Sequence, residues 1–216
     1  MDVPVNARTR IKICGITTPD DARTAVAAGA DAIGLVFHRP SARNLDPAQA
    51  RAIALAAAPF VTRVALFVDP DPTFVATVLA QAPIDCLQFH GDEPPAFCRR
   101  FGRPYLKAAR VRPSLDLLEY LVGYDDASGW LLDSFRADMA GGTGAPFDWR
   151  AVPARLARPL VLSGGLDAAN VGRAIRSLRP FAVDVSSGVE SAPGVKDAMR
   201  IAQFVAAVRA AEVIER

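Results

Sequence analysis

Along this chain a short apolar strand is followed by a helix-forming stretch, and the pair recurs eight times. The spacing predicts strands over residues 10–14, 32–37, 62–68, 86–89, 105–109, 130–133, 160–163 and 182–185. It predicts helices over 19–28, 47–57, 72–82, 94–101, 114–122, 148–157, 168–177 and 196–208. Several helices open on proline behind a Thr or Asp, as in Thr18-Pro19, Asp46-Pro47 and Asp71-Pro72. Proline suits a first turn, where its missing N–H leaves no bond unmade. Strict alternation calls for a parallel sheet covered by helices. Eight units of about 27 residues each suit a closed barrel better than a doubly wound sheet. The expected fold is α/β, a single (β/α)8 TIM barrel over residues 1–216.

Composition narrows the function more than the fold. Half of the 216 residues are apolar and 22% are charged, the balance of a soluble globular domain. No apolar run is long enough to span a bilayer, and the first ten residues lead into no leader-like apolar core. A net charge of +2 offers no basic footprint for nucleic acid. Cys14, Cys86 and Cys98 are odd in number and lack metal-ligand spacing, which points to a reducing cytoplasm.

In a (β/α)8 barrel, chemistry sits where strands end and loops begin. Two of those ends share a pattern. Leu160-Val161-Leu162 runs into Ser163-Gly164-Gly165, and Ala182-Val183-Asp184-Val185 runs into Ser186-Ser187-Gly188, each ahead of a predicted helix. Glycine admits a ligand close to the backbone, and a helix N-terminus offers unpaired N–H groups and partial positive charge. Either motif alone reads as a tight turn. Side by side they read as a cradle for a phosphate monoester.

The other strand ends supply candidates for acid–base chemistry. Cys14 closes the first strand and shares a face with Lys12, opposite Ile11 and Ile13. It serves equally as a small buried hydrophobe or as a thiolate base, its pKa lowered by nearby positive charge. Lys12, deeper in the barrel, needs an anion, and Asp184 is the acid to pair with it. Asp133 ends an apolar strand that holds no other acid, as a turn former or as a general acid. Arg43 follows the second strand, either solvated or poised for a substrate carboxylate. Gln88 and His90 end the fourth strand and suit polar contacts better than catalysis. Gly141-Gly142-Thr143-Gly144 follows no strand directly and reads as part of a loop over residues 134–147.

These pieces, taken in order, resemble the phosphoribosylanthranilate isomerases of tryptophan biosynthesis. The resemblance rests on Lys12-Ile13-Cys14-Gly15-Ile16-Thr17, Gly29-Ala30-Asp31-Ala32-Ile33-Gly34, Ser41-Ala42-Arg43 and Gln88-Phe89-His90-Gly91. It continues through Leu131-Leu132-Asp133, Leu162-Ser163-Gly164-Gly165-Leu166, Val183-Asp184-Val185-Ser186-Ser187-Gly188-Val189-Glu190 and Pro193-Gly194-Val195-Lys196-Asp197. It implies an Amadori rearrangement of N-(5-phosphoribosyl)anthranilate, with neither cofactor nor metal. It makes Cys14 the general base and Asp133 the general acid. Arg43 would meet the anthranilate moiety, with Gln88, His90 and Asp184 also lining the substrate. Ser163, Gly164, Gly165, Ser186, Ser187 and Gly188 would hold the phosphate. The partner is a small phosphoribosyl substrate, with no nucleic acid or membrane, bound by a monomer or homodimer. Ala42 and Phe89 depart from common family choices, and Phe89 is placed to narrow the site near His90.

Related readings fit less well. The histidine-pathway sugar isomerase pairs two aspartates across a half-barrel repeat, whereas Lys12-Ile13-Cys14-Gly15 finds no echo in Lys107-Ala108-Ala109-Arg110. Indole-glycerol-phosphate synthase needs a catalytic lysine and an N-terminal extension. A silent phosphosugar-binding regulator would have no use for Cys14, Asp133 and Arg43 together.

Overall fold

The computed structural model describes residues 8–111, 116–134, 152–153 and 156–213. Eight parallel strands close into a barrel in sequence order. They are β1 (Arg10–Cys14), β2 (Ala32–Phe37), β3 (Thr62–Phe67), β4 (Cys86–Phe89), β5 (Tyr105–Val111), β6 (Gly129–Ser134), β7 (Leu160–Leu162) and β8 (Ala182–Val185). Closure is made by β1, which pairs with β2 on one side and β8 on the other, setting Lys12 beside Asp184. Outside lie α1 (Pro19–Ala28), α2 (Pro47–Ala56), α3 (Pro72–Gln81), α4 (Pro95–Arg99), α5 (Leu117–Val122), α6 (Val171–Leu178) and α7 (Ala198–Val213). The loop expected over 134–147, beyond Ser134, and most of the helix expected over 148–157 lie outside the described residues.

Local chemistry starts the first three helices where expected. Thr18 accepts from the N–H of Asp21, Asp46 forms a reciprocal capping box with Gln49, and Asp71 accepts from the N–H of Thr73. Each satisfies a donor that the helix itself leaves free. The helix expected from residue 168 is α6 and begins at Val171, because the Asp167 carboxylate accepts from Ala169 and Asn170 and holds those residues in a turn.

Period-two alternation sorts the side chains. Ile11, Ile13, Leu35, Phe67 and Leu87 face the helices in the main core, while Cys14, Val36 and Leu66 form a cluster inside the barrel. A second interior cluster joins Ala108, Leu131, Val161 and Ala182. Phe89 belongs to the outer layer. Its ring meets Phe67, Phe97, Phe101 and Tyr105, so it cannot narrow the mouth of the barrel as the sequence suggested. Outward-facing Lys107 is fully buried and donates to Glu93 (2.8 Å) and to the Gly91 carbonyl (2.7 Å). Glu93 also accepts from the backbone N–H of Asp69 and Gly91, so one ion pair ties together the loops that follow β3 and β4.

The largest difference from expectation follows β8. A short 3₁₀ turn, Ser187–Val189, leads into an antiparallel hairpin of β9 (Glu190–Ala192) and β10 (Val195–Lys196). The helix expected from residue 196 starts instead at Ala198. Pro193-Gly194 makes the reversal, with Gly194 at φ 81°. That glycine is required, because a Cβ there would sit 2.7 Å from the Ala42 carbonyl oxygen. Thr17 Oγ1 donates to the Gly194 carbonyl (2.8 Å), so the hairpin touches the loops after both β1 and β2.

Candidate active site

Inside the barrel, Lys12 and Asp184 form the expected pair, with Nζ donating to Oδ1 at 2.9 Å and both side chains buried. Ser163 Oγ donates to the other carboxylate oxygen (3.3 Å). Cys14 lies above this pair at the end of β1. Its β2 register partner is Gly34, where a Cβ would stand 2.6 Å from the thiol and 3.0 Å from Lys12 Nζ. The absence of a side chain at Gly34 is what lets thiol and ammonium occupy one level. Burial opposes the Lys12 charge, yet Asp184 and the thiol outweigh it and hold its pKa above the ordinary value. The expectation for Cys14 needs correction: burial pushes the thiol up, more than Lys12 and Lys196 bring it down.

Arg43 reaches across Gly15, where a Cβ would fall 2.3 Å from its Cδ and 3.0 Å from Ser186 Oγ. It is not a free loop arginine. Nε donates to Glu190 Oε1 (2.7 Å) and a terminal nitrogen to Oε2 (2.5 Å), a two-pronged carboxylate pair within the protein. Lys196 Nζ donates to the same Oε1 (2.7 Å) and to the Ser186 carbonyl (3.1 Å). Burial works against the Glu190 charge, but Arg43 and Lys196 overcome it and hold the carboxyl below its usual range. Lys196 moves down for lack of water around it, with Glu190 opposing. Glu190 and Lys196 were absent from the sequence candidates. The available signal was Pro-Gly between two short segments, which marks a hairpin and would have placed them opposite each other.

On the other side of the mouth, Asp133, next to last in β6, meets His90, Oδ2 to Nε2 at 3.1 Å. His90 Nδ1 in turn meets Gln88 Nε2 at 3.2 Å. Asp133, His90 and Gln88 therefore form one chain reaching from the rim to a fully buried amide.

The two glycine turns abut as expected. Gly164 and Gly165 take φ 86° and 63°, in the region that favours glycine, and Asn170 Nδ2 donates to the Gly165 carbonyl (2.8 Å). A Cβ on Gly188 would lie 2.0 Å from the Leu166 carbonyl oxygen, so the second turn packs directly against the first. Behind Ser187 stands the 3₁₀ turn rather than a full helix. Ser163, Gly164, Gly165, Ser186, Ser187 and Gly188 thus meet on one side of the rim. Among the described residues, no group of three or more His, Cys, Asp or Glu side chains is placed to hold a metal ion.

A thiol beside an ammonium, a carboxyl on an imidazole and two glycine turns, all at the C-terminal ends of barrel strands, define a (β/α)8-barrel enzyme equipped for acid–base chemistry. A family model for N-(5'-phosphoribosyl)anthranilate (PRA) isomerase matches residues 11–207. The chain belongs to that family. It is 57% identical over 195 residues to the N-(5'-phosphoribosyl)anthranilate isomerase of Cellvibrio japonicus, covering 90% of this chain and 91% of the relative. The crystal structure of phosphoribosyl anthranilate isomerase from Thermotoga maritima superposes with a TM-score of 0.87 at 42% identity, covering 94% and 99% of the two chains. A phosphoribosyl anthranilate isomerase in complex with reduced 1-(o-carboxyphenylamino)-1-deoxyribulose 5-phosphate gives 0.83 at 40%, with the same coverage.

Proposed function

We propose that Cys14 and Asp133 carry out, in this chain, the Amadori rearrangement of N-(5-phosphoribosyl)anthranilate to 1-(2-carboxyphenylamino)-1-deoxyribulose 5-phosphate, a step of L-tryptophan biosynthesis. Asp133 donates a proton to the furanose ring oxygen. The C1′–O bond breaks as the anilino nitrogen lone pair forms a C1′=N double bond. Cys14, as thiolate, removes the C2′ proton, and the electron pair moves through C1′ to nitrogen. The resulting enolamine gains a proton at C1′ and releases the proton of its 2′-hydroxyl, which becomes the carbonyl of the 2-ketose. No atom is gained or lost, so the chemistry needs only a placed acid and base.

The observation that carries this reading is the placement of the two groups. Cys14 ends β1 and Asp133 lies at the C-terminal end of β6; the two strands are not neighbours, so a substrate spanning the mouth can meet one on each side. The abutting glycine turns suit its phosphate, and Arg43, whose guanidinium is steadied by Glu190, suits the anthranilate carboxylate. His90 acts at the same rim through its contact with Asp133, with Gln88 behind it, while Asp184 holds Lys12 below Cys14. Holding both ends of the substrate fixes the sugar between acid and base.

We read residues 1–216 as one barrel domain, working as a monomer or homodimer. The three free, buried cysteines suit the cytoplasm. Among the described residues no helix is long and apolar enough to cross a membrane. The test is a fluorescence time course with phosphoribosylanthranilate made in situ. Wild type should turn over, while Cys14→Ser and Asp133→Asn should each lose on the order of 10²–10⁴ in kcat. KM should stay within about an order of magnitude, because the phosphate grip is untouched. A folded variant of either kind with near wild-type kcat would overturn the assignment of that residue.

A further inference from the structure

Gln88 sits at the end of β4 with none of its surface exposed. Its amide nitrogen faces His90 Nδ1 at 3.2 Å. Its amide oxygen is, among the described residues, the single buried side-chain polar atom without a hydrogen-bond partner. An unmet buried acceptor is costly, and such exceptions call for a reason. The reason lies in what the other half of the amide does.

An amide NH2 can only donate, so the imidazole nitrogen that it meets must be bare. With Nδ1 bare, the proton of a neutral His90 sits on Nε2 and points at Asp133 Oδ2, 3.1 Å away. Oδ2 is then already an acceptor, whether Asp133 is ionised or protonated. When Asp133 carries its proton, that proton is left to Oδ1. The acid therefore presents its O–H on the oxygen away from the histidine. Were the amide turned over, Gln88 Oε1 would accept from Nδ1–H. A bare Nε2 would then draw the Asp133 proton onto Oδ2 and away from the substrate. The two settings of one buried amide have opposite consequences at the rim, two hydrogen bonds away.

We propose that Gln88 is a positioning residue for the general acid: through the tautomer of His90 it places the acidic proton of Asp133 on the oxygen that the histidine leaves free for substrate. The proposal rests on the reading of Asp133 as the acid. It assigns Gln88 a role at a distance from substrate, in place of the substrate contact that the family resemblance implied. His90 carries the orientation and transfers no proton itself.

The chain holds two histidines, His38 and His90, so ring-¹⁵N-labelled protein gives two imidazoles to follow. A His90→Asn variant identifies which signals belong to His90. Wild type should show His90 as the Nε2–H tautomer. Gln88→Met keeps the length but imposes no direction, and should lower kcat about tenfold with KM within about threefold. Gln88→Glu imposes the wrong direction. It should move the ring proton to Nδ1 and lower kcat about a hundredfold, inside the 10²–10⁴ range that a general acid supplies. A purely structural role for Gln88 would leave the tautomer in place, with equal losses for Met and Glu, and that result overturns the proposal. So does a wild-type His90 with its proton on Nδ1, or a Gln88→Glu enzyme with unchanged kcat. If Gln88→Glu does not fold, the wild-type tautomer and the Gln88→Met kinetics decide. Asp133→Asn separates the two readings: near wild-type kcat sinks the acid assignment and this proposal with it. A collapsed Asp133→Asn beside unaffected Gln88 variants sinks this proposal alone.

Discussion

Cys14 and Glu190 show how much a residue's role depends on its electrostatic surroundings. Two ammonium groups act on the Cys14 thiol, yet burial prevails and lifts its pKa above the ordinary thiol range. A base of that kind is scarce as thiolate at neutral pH but strong once formed. The expected outcome is a kcat/KM limb that keeps rising through pH 8 and above, and that vanishes in Cys14→Ser. A plateau reached below pH 7 would contradict it. Glu190 moves the other way, its carboxyl held below the usual range by Arg43 and Lys196 against the pull of burial. A depressed folded-state pKa stabilises the protein fully above the unfolded carboxyl value of about 4.3, and the gain is lost as pH falls through the lower folded value. Glu190→Gln should therefore flatten the acid side of the stability curve below about pH 4, measured by urea unfolding. At neutral pH it should cost about 3–5 kcal/mol, because the Lys196 ammonium is left buried without its anion.

At the level of elements, the glycine turns after β7 and β8 form one feature. The Gly188 backbone approaches the Leu166 carbonyl so closely that a Cβ would stand 2.0 Å from its oxygen. Both partners are backbone, so no side chain can give way. Gly188→Ala should force the turns apart, with a stability loss of about 1–3 kcal/mol and a larger rise in KM than fall in kcat. Intact phosphate affinity, read by isothermal calorimetry with ribose 5-phosphate, would show that the turns are not the cradle. The β9–β10 hairpin is the second element to matter. It turns Lys196 from an expected helix start into a buried cation and carries Glu190 to Arg43, so a loop on β8 helps to hold a loop on β2.

For the molecule as a whole, the cradle joins two loops of a closed barrel, so an occupant should stabilise the folded state. Ribose 5-phosphate at about 100 times its Kd should add about 2.7 kcal/mol, raising Tm by roughly 5–10 °C. Differential scanning calorimetry would measure this, and Gly188→Ala should reduce it. Much of this architecture is written in local sequence. The alternation of strands and helices, the caps at Thr18, Asp46 and Asp71, and Cys14, Asp133 and the glycine turns at strand ends all follow from period, propensity and turn chemistry within a few residues. The Lys12–Asp184 pair was also legible, since a buried cation demands an anion. The partners of Arg43 and Asp133 were not. Arg43 and Glu190 stand 147 residues apart, and His90 and Asp133 stand 43 apart. Nothing local distinguishes those pairs from other charged residues on loops. They meet because closing β1 against β8 curls the strand ends into one ring. Gly34 likewise reads as an ordinary strand glycine until the pairing of β2 with β1 sets Cys14 and Lys12 against it. Residue by residue the sequence determined which groups reach the mouth of the barrel; apart from Lys12 and Asp184, the closing of the strands into a ring decided which of them touch.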